Sequence, residues 1–597
     1  MAIIRAIRFR NFRSLRDAEI PLRNKTILVG ANNVGKTAVL EALDRAFAVG
    51  RRGYGYTERD VTEGVDASVE GFEIVVTIVP DSGDDFTDAE IHAFDTHIDL
   101  NDKQHRLLIQ VRGQTDPEDG QFRTRLHFLK GDMEDDGLVG PAAREMLGFT
   151  LLPALREARR EFSERSGLWA RLSALEDVAP DVAERVAHLG QRVGNAVVAT
   201  LLGSDMRTSV DASVTGLVSD VLYAGRPGAE LTFSVTPIDP AEVLRDIELR
   251  LTTPGQTDAR RITEHSAGTQ SVAMFGLFSA YSTAVSGRTI ALGIEEPESH
   301  LHPHATRAMV RAVERLTTQT ILTTHSTAVT DAADPRSIVL LRRRGDSTVA
   351  SAVPSNLLTD QEVKDIRRRT QETGTDFLFA RAVLFTEGAS ERLAVPLFAA
   401  QMGFDWDVLG VSLVPVAGSD FAAFLKLLGP DGLNLPHFVA CDLDAAGQLM
   451  DALSDIRRLP PEVNRADPAA ARAVMTKLGF HWWTAGNFED LLLAEGFAPL
   501  YVEAFAALNG PSFLRNFAAG RKLSLPSPID ADFLKMVLSS NGHKVSKPRL
   551  AQLVAELAPT KGMKPPAELV SLLEQVRSAA LTEAAAVTGQ PAGPADP

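Results

Sequence analysis

The chain has a single cysteine, Cys441, in 597 residues. That excludes an internal disulfide framework and points to a reducing compartment, the cytoplasm. Cys441 closes an apolar run and reads as a small core residue rather than a nucleophile. Tyrosine is scarce as well: five residues, 54, 56, 223, 281 and 501, none set in a separate DNA-gate domain, which argues against a topoisomerase. No apolar run is long enough to cross a membrane, and the start is Arg-punctuated strand rather than a signal peptide, so no membrane partner is expected. Positive charge is in deficit, 62 Lys and Arg against 78 Asp and Glu, for a net charge of −16. That does not exclude DNA, because binding depends on local patches and carboxylate sites invert sign when Mg2+ enters; it predicts strongly salt-dependent binding. Basic clusters lie at Arg342-Arg343-Arg344, Arg367-Arg368-Arg369 and Lys544 to Arg549; the first two fit solvated hairpin or helix faces as well as DNA contacts.

What is present is nucleotide chemistry. Gly30-Ala31-Asn32-Asn33-Val34-Gly35-Lys36-Thr37 follows the apolar run Thr26 to Val29 and opens a helically spaced segment, Thr37 to Leu43. The glycine loop therefore joins a strand to a helix, and its N–H groups, those of Asn33 and Gly35 included, can wrap phosphates at the helix N-terminus. Lys36 is expected to reach the β- and γ-phosphates of ATP, and the Thr37 hydroxyl to hold Mg2+.

The other parts of an ATPase follow in order. Thr289 to Ile294 is an apolar strand ending in Glu295-Glu296-Pro297-Glu298, which places carboxylates at the strand edge where nucleotide sites of open α/β sheets lie. Glu295 is expected to hold Mg2+ through water, and Glu296 to orient the attacking water. Thr320 to Thr324 is a second strand that delivers His325 to the same edge, to sense the γ-phosphate. Before both lies Ser266-Ala267-Gly268-Thr269-Gln270, whose Ser266 and Gly268 suit a phosphate contact made from a second subunit.

Downstream the pattern alternates again. Ala382 to Thr386, Val411 to Val416 and His437 to Cys441 are strands, with a glycine turn at Ala417-Gly418-Ser419. Glu387-Gly388 caps the first strand and Asp442-Leu443-Asp444 ends the third, so Glu387, Asp442 and Asp444 should converge at one edge of a small parallel sheet. Carboxylates and water supply the hard oxygens that Mg2+ needs, and two such ions could stabilise the attacking and leaving oxygens of a phosphodiester.

The opening Ile3 to Ser14, the phosphate loop, the Ser266 to Gln270 signature, Glu295 to Pro303 and Thr324-His325-Ser326 resemble the ABC-type ATPases of the SMC and RecF kind. The downstream segment resembles a Toprim domain. Over nearly its full length the chain resembles an OLD (overcoming lysogenization defect) family endonuclease, of the class that includes the Gabija nuclease subunit; Glu295, where most ABC ATPases carry Asp, fits that family. The resemblance implies that Glu391 and an acid in Trp483 to Asp490 complete a second metal site, Glu489 being chosen with Asp490 as competitor, and that Lys547 is a catalytic lysine stabilising the transition state. It implies two Mg2+ or Mn2+ ions, a homodimer or higher homo-oligomer closed by the trans-acting signature, a DNA substrate, a possible helicase partner, and a role in phage defence or DNA repair.

The expected architecture is α/β: an ABC-type (SMC/RecF-like) ATPase with an inserted helical dimerisation element, then a C-terminal Toprim α/β domain. The expected bounds are 1–153 and 230–376 for the ATPase lobes, 154–229 for the helical insertion, 377–590 for the Toprim domain and 591–597 for a disordered tail. The leading reading is an ATP-regulated, metal-dependent DNA endonuclease or nickase. The alternative is a RecF-like clamp that binds DNA under ATP control without cutting.

Overall fold

In the computed structural model the described residues are 2–47, 55–81, 85–99, 105–131, 134–153, 250–251, 258–284, 289–416, 421–540 and 545–588, with scattered positions from 182 to 196. The expected helical insertion, apart from those positions, the Ala417 to Ser419 turn, Lys544 and the tail lie outside them.

Two compact units divide the chain. One comprises Met1–Leu151, Gly287–Glu298 and His302–Pro597; the other comprises Leu152–Ser286 and Ser299–Leu301. The first holds three sheets. Strands β1 (Ala2–Phe12), β2 (Leu15–Pro21), β4 (Phe72–Pro80), β5 (Leu107–Thr115), β6 (Phe122–Lys130) and β7 (Glu134–Leu138) form an antiparallel sheet in the order β2-β1-β4-β5-β6-β7. One face alternates Ile7, Phe9, Ile74, Val76, Ile109, Val111, Leu126 and Phe128 into the core, the period-2 signature of a half-buried sheet.

The second sheet has the order β14-β13-β3-β12-β11-β8, from β14 (Ser347–Ala352), β13 (Ile338–Arg344), β3 (Lys25–Gly30), β12 (Gln319–Thr324), β11 (Thr289–Glu295) and β8 (Gly148–Leu152). The central pairs β13–β3, β3–β12 and β12–β11 are parallel. Strand β12 thus stands between the strand that feeds the phosphate loop and the strand that carries Glu295, and all three open at one edge. The helix Lys36–Phe47 packs Val39, Leu40, Leu43 and Phe47 into the same core. In the second unit β9 (Arg250–Leu251) and β10 (Arg260–Arg261) form a short antiparallel pair.

The third sheet, β16-β15-β17-β18, is wholly parallel: β15 (Ala382–Thr386), β16 (Val411–Pro415), β17 (His437–Cys441) and β18 (Phe480–Trp482). The sequence pattern locates the first three of these strands; the fourth is only three residues long. Cys441 is fully buried, as its strand position requires. Helices from Phe488–Ala494 to Ala567–Thr588 share this domain's core through Leu492, Tyr501, Phe505, Leu534, Leu550 and Leu572.

The last helix, Ala567–Thr588, touches both β13 and β15 and so ties the ATPase sheet to the Toprim sheet. Glu583, 8% exposed, accepts from Arg344 at 2.7 Å and from Arg342 at 3.4 Å. Arg342 also donates to the Asn434 carbonyl, and the Gly345 N–H to the Ala586 carbonyl. Arg342 and Arg344 of the basic run therefore bolt the two sheets together, while Arg343 donates to the Gly345 carbonyl within its own hairpin. Glu583→Ala leaves Arg342 buried without its carboxylate. The expected loss is about 2 kcal/mol, below the usual cost of a broken buried pair because Arg344 is 38% exposed. Calorimetry should show the single transition splitting as the two sheets uncouple, with Glu583→Gln milder.

Candidate nucleotide and metal sites

The phosphate loop leaves β3 at Gly30, where a Cβ would lie 2.3 Å from the Leu341 carbonyl oxygen; Gly35 has φ +93°, and a Cβ there would meet Leu15 at 2.8 Å. Only glycine fits either place. Asn33, also left-handed at φ 62°, is exposed at the loop tip. Lys36 is buried, and its Nζ donates to the Gly30 and Ala31 carbonyls, both at 2.8 Å. Burial lowers its pKa to about 8, against the pull of Glu296 and Glu298. Phosphate oxygens would replace those carbonyls and raise its pKa again, holding the charge more firmly.

Thr37 Oγ1 donates to Glu295 Oε1 at 2.7 Å. The hydroxyl and carboxylate expected to share a Mg2+ are thus already adjacent, across the width of β12. Glu296 takes φ 41° and donates its N–H to the Thr323 carbonyl at 3.1 Å. Its Oε1 is 3.4 Å from His325 Nε2, while His325 Nδ1 is 3.5 Å from Lys36 Nζ. Burial, then Lys36, lower the His325 pKa against Glu296, so the ring is neutral near pH 7. Lys36, Thr37, Glu295, Glu296 and His325 form one contiguous set.

Glu298 is the residue that sequence reasoning quoted without a role. Its Oε1 accepts from Thr324 Oγ1 at 2.6 Å and from the His325 N–H at 3.1 Å. Its Oε2 is buried with no hydrogen-bond partner among the described residues, and burial raises its pKa. It holds the backbone from which His325 projects. The available signal was a third carboxylate just past Pro297 at the strand end.

In the second unit, Ser266 Oγ lies 3.0 Å from Thr269 Oγ1 and accepts the Thr269 N–H at 3.4 Å, so the signature opens the helix Ala267–Ala284. Gln270 Nε2 donates to the His265 and Thr263 carbonyls, and a Cβ on Gly268 would approach the His300 carbonyl oxygen at 3.0 Å.

At the Toprim edge, Glu387 follows β15 and Asp442 follows β17, adjacent parallel strands in which Thr386 pairs with Ala440. Glu387 Oε2 accepts the Asp442 N–H at 2.9 Å. Glu391, in the first turn of Ala389–Gln401, is 3% exposed, and Glu489 is 5% exposed. Burial, then Asp442, Glu489 and Glu387, push the Glu391 pKa up to about 8. Burial, then Glu387, Glu489 and Asp444, push Asp442 up to about 7. Glu387 and Glu489 thus act on both Glu391 and Asp442, and Asp444 acts on Asp442. Ser390 donates to Glu489 Oε1 at 2.6 Å. Asp490 instead exchanges capping bonds with Asn487 at the start of Phe488–Ala494 and lies 3.9 Å from Lys535.

Among the described residues no three His, Cys, Asp or Glu side chains close into a ready-made ion cage. The donor set nonetheless fits Mg2+ or Mn2+, being all hard oxygen and carrying mutual repulsion that a divalent cation would relieve. Lys547 begins the helix Lys547–Leu557, which packs against the Glu391 helix, but no contact joins Lys547 to the acids. The described tyrosines 56, 281 and 501 are buried, unlike a DNA-attacking tyrosine.

The strand order and the two sites define the class: an ABC-type ATPase followed by a Toprim domain. Family models match as "AAA ATPase domain" over residues 2–115, "AAA domain, putative AbiEii toxin, Type IV TA system" over 223–331, and "Overcoming lysogenization defect protein-like, TOPRIM domain" over 378–444. The chain is similar to proteins of the OLD family, through the Toprim match and the relatives that follow. It is 24% identical over 511 residues to the OLD nuclease of Thermus scotoductus, covering 78% of this chain and 86% of that protein. It is 22% identical over 586 residues to the uncharacterized protein YbjD of Escherichia coli, covering 94% and 96%. The solved C-terminal region of the Burkholderia pseudomallei OLD protein is 27% identical, covering 34% of this chain and 99% of that one, at TM-score 0.27. No described helix is long and apolar enough to cross a membrane.

Because Glu298 acts through His325, Glu298→Ala should lower ATP turnover about tenfold while leaving ATP affinity within about threefold, the split expected when a group serves the reacting state rather than ground-state binding. Glu298→Gln, which can still accept both hydrogen bonds, should recover most of the rate. Single-turnover hydrolysis with equilibrium nucleotide binding reads both.

Proposed function

We propose that the protein is an ATP-regulated, divalent-metal-dependent DNA endonuclease or nickase of the OLD family. The observation that carries this reading is the placement of Glu387 and Asp442 at the ends of adjacent Toprim strands, with Glu391, Asp444 and Glu489 near enough that Asp442, Glu489 and Glu387 raise the Glu391 pKa and Glu387, Glu489 and Asp444 raise that of Asp442. Folding alone gains nothing from crowding carboxylates in a place where burial penalises them. When bound, two divalent ions would activate water and offset charge on the scissile phosphate. Glu387, Asp442 and Asp444 would hold one ion and Glu391 and Glu489 would complete the second. Ser390 orients Glu489 through its hydroxyl, and Lys547 would bring a cation to the phosphate as bonds break.

In the ATPase, Lys36 would bind the β- and γ-phosphates, Thr37 and Glu295 would hold Mg2+, Glu296 would orient water and His325 would sense the γ-phosphate. Ser266 and Gly268 would complete the site from a second copy, making the active form a homodimer or higher oligomer. The OLD nuclease among the relatives supports DNA as the substrate. A role in phage defence or repair and a helicase partner extend this reading. The clamp alternative predicts DNA binding without cleavage.

The test uses supercoiled plasmid with Mg2+ or Mn2+, with and without ATP. Wild type should nick or linearise it, and EDTA should abolish the reaction. Asp442→Ala should lose cleavage by about a hundredfold or more and keep ATP turnover, while Lys547→Ala should lose cleavage with metal binding retained. Undiminished nicking by Asp442→Ala would sink the metal site; no cleavage by wild type under any metal would favour the clamp.

For the ATPase half, Lys36→Ala should lose ATP binding and hydrolysis together. Glu296→Gln should bind ATP and fail to turn it over. Normal turnover in Glu296→Gln would move the water-orienting role elsewhere.

A further inference from the structure

The antiparallel sheet has a second face that neither the ATPase nor the Toprim chemistry uses. Strand alternation turns Gln110, Arg112 and Gln114 of β5 and Arg123, Arg125 and His127 of β6 away from the core. In the ladder Gln110 stands opposite His127, Arg112 opposite Arg125, and Gln114 opposite Arg123. These side chains, with Ser68 and Asp116, line an open groove of about 500 Å³.

The pair Arg112 and Arg125 is costly as it stands. Two like charges directly opposite each other across a ladder repel, and both are exposed with no ion pair among the described residues. Glu73 sits beside Arg112 on β4, and Arg10 beside Glu73 on β1, yet Glu73 closes an ion pair with neither. Arg123, at the end of the groove, is held by Asp116 and Asp119, so it contributes less free charge. In a chain of net charge −16, unneutralised guanidinium on one sheet face is a local reversal of sign.

We propose that this face is a nucleic-acid backbone site on the ATPase lobe, in which Arg112 and Arg125 take phosphates of DNA and Gln110 and Arg123 extend the contact along the strand. Guanidinium forks match phosphate oxygens bidentately. Arg112 and Arg125, directly opposite across the ladder, have Cβ atoms about 5 Å apart, close enough for both guanidinium groups to reach one stretch of phosphate backbone. A protein partner would want an apolar or aromatic anchor at the centre of its interface, and the groove's apolar lining is Pro117 and the buried Leu129, with no aromatic side chain other than the His127 imidazole. The site adds to the Toprim edge, holding the duplex without reading sequence. It rests on the DNA reading for the identity of its partner, and its test involves no cleavage.

The experiment measures binding of a fluorescein-labelled duplex by anisotropy in EDTA, across a salt series, for wild type, Arg112→Ala/Arg125→Ala and Arg112→Lys/Arg125→Lys. Each lost phosphate contact removes about 0.9 from the slope of log affinity against log salt. The alanine pair should therefore flatten the slope by about 2 and weaken binding between about tenfold and a hundredfold near 0.1 M salt. The lysine pair keeps both charges and should keep the slope within about 0.5 of wild type. A cooperative melt like that of wild type shows that the alanine pair is folded; if it is not, Arg112→Gln/Arg125→Gln makes the same comparison. Wild-type affinity and slope in the folded neutral variant overturn the site. So does a shift in oligomeric state with DNA binding unchanged, which would assign the face to a second copy of the chain. Arginine-dependent binding by a wild type that never cuts DNA leaves the groove standing and removes the nuclease reading.

Discussion

A parallel strand can rejoin its sheet only by crossing over, so the segment that follows every parallel strand emerges at the same edge. The chain uses this constraint twice. In the ATPase sheet it brings the phosphate loop after β3, Glu295 and Glu296 after β11 and His325 after β12 to one place, close enough for Thr37 to bond Glu295 and for His325 to stand between Lys36 and Glu296. In the Toprim sheet it brings Glu387 after β15 beside Asp442 after β17. Neither site needs long-range design of individual side chains beyond the strand order. What remains for sequence to choose is the residue at each strand end.

The same economy governs how the two sheets are joined. The phosphate loop backs onto a cavity of about 570 Å³ whose other walls include Arg342, Arg381 and Glu583. Arg342 lies on β13, the strand beside β3, and Glu583 lies on the helix that also touches β15. A shift of the loop therefore meets, within one layer of side chains, the ion pairs that join the two sheets. Buried ion pairs hold geometry better than they add stability, which suits a connection that keeps the two sheets in register.

The sequence made much of this legible, and its failures have physical causes. The phosphate loop was readable because glycine, lysine and threonine sat between an apolar run and a helical one. The strands Ala382–Thr386 and His437–Cys441 were readable because each is a short apolar run ending at an acid. Strand β18, Phe480-His481-Trp482, is too short to show a period, and tertiary pairing with β17 defines it. Glu489 and Asp490 could not be separated by type. They separate by helix geometry, Asp490 standing three residues after Asn487 where a capping box uses it, and Glu489 facing Ser390. Arg342 read as a surface charge because its partner, Glu583, lies 241 residues away. The polar half of β5 and β6 served only to identify strands, since alternation reports that a face is wet and not what wets it.

Charge placement reconciles a net charge of −16 with the polyanionic substrate proposed for the protein. The Toprim acids are the charges that most oppose DNA, and they are the ones a divalent cation neutralises. Of the basic runs, Arg342 and Arg344 are spent inside the molecule on Glu583, and Arg367 is turned to the Ala332 and Ala333 carbonyls and to Glu314. The cations left over on the antiparallel sheet are isolated residues at alternate strand positions, invisible to any count of consecutive charges. A face of this kind attracts phosphate only over the range of about 10 Å that salt leaves unscreened. The rest of the acidic surface meanwhile repels nucleic acid that is not seated on it. Under the proposed function, attraction confined to one groove and to metal-loaded carboxylates would give an acidic protein a grip on DNA that is local and dependent on both salt and metal.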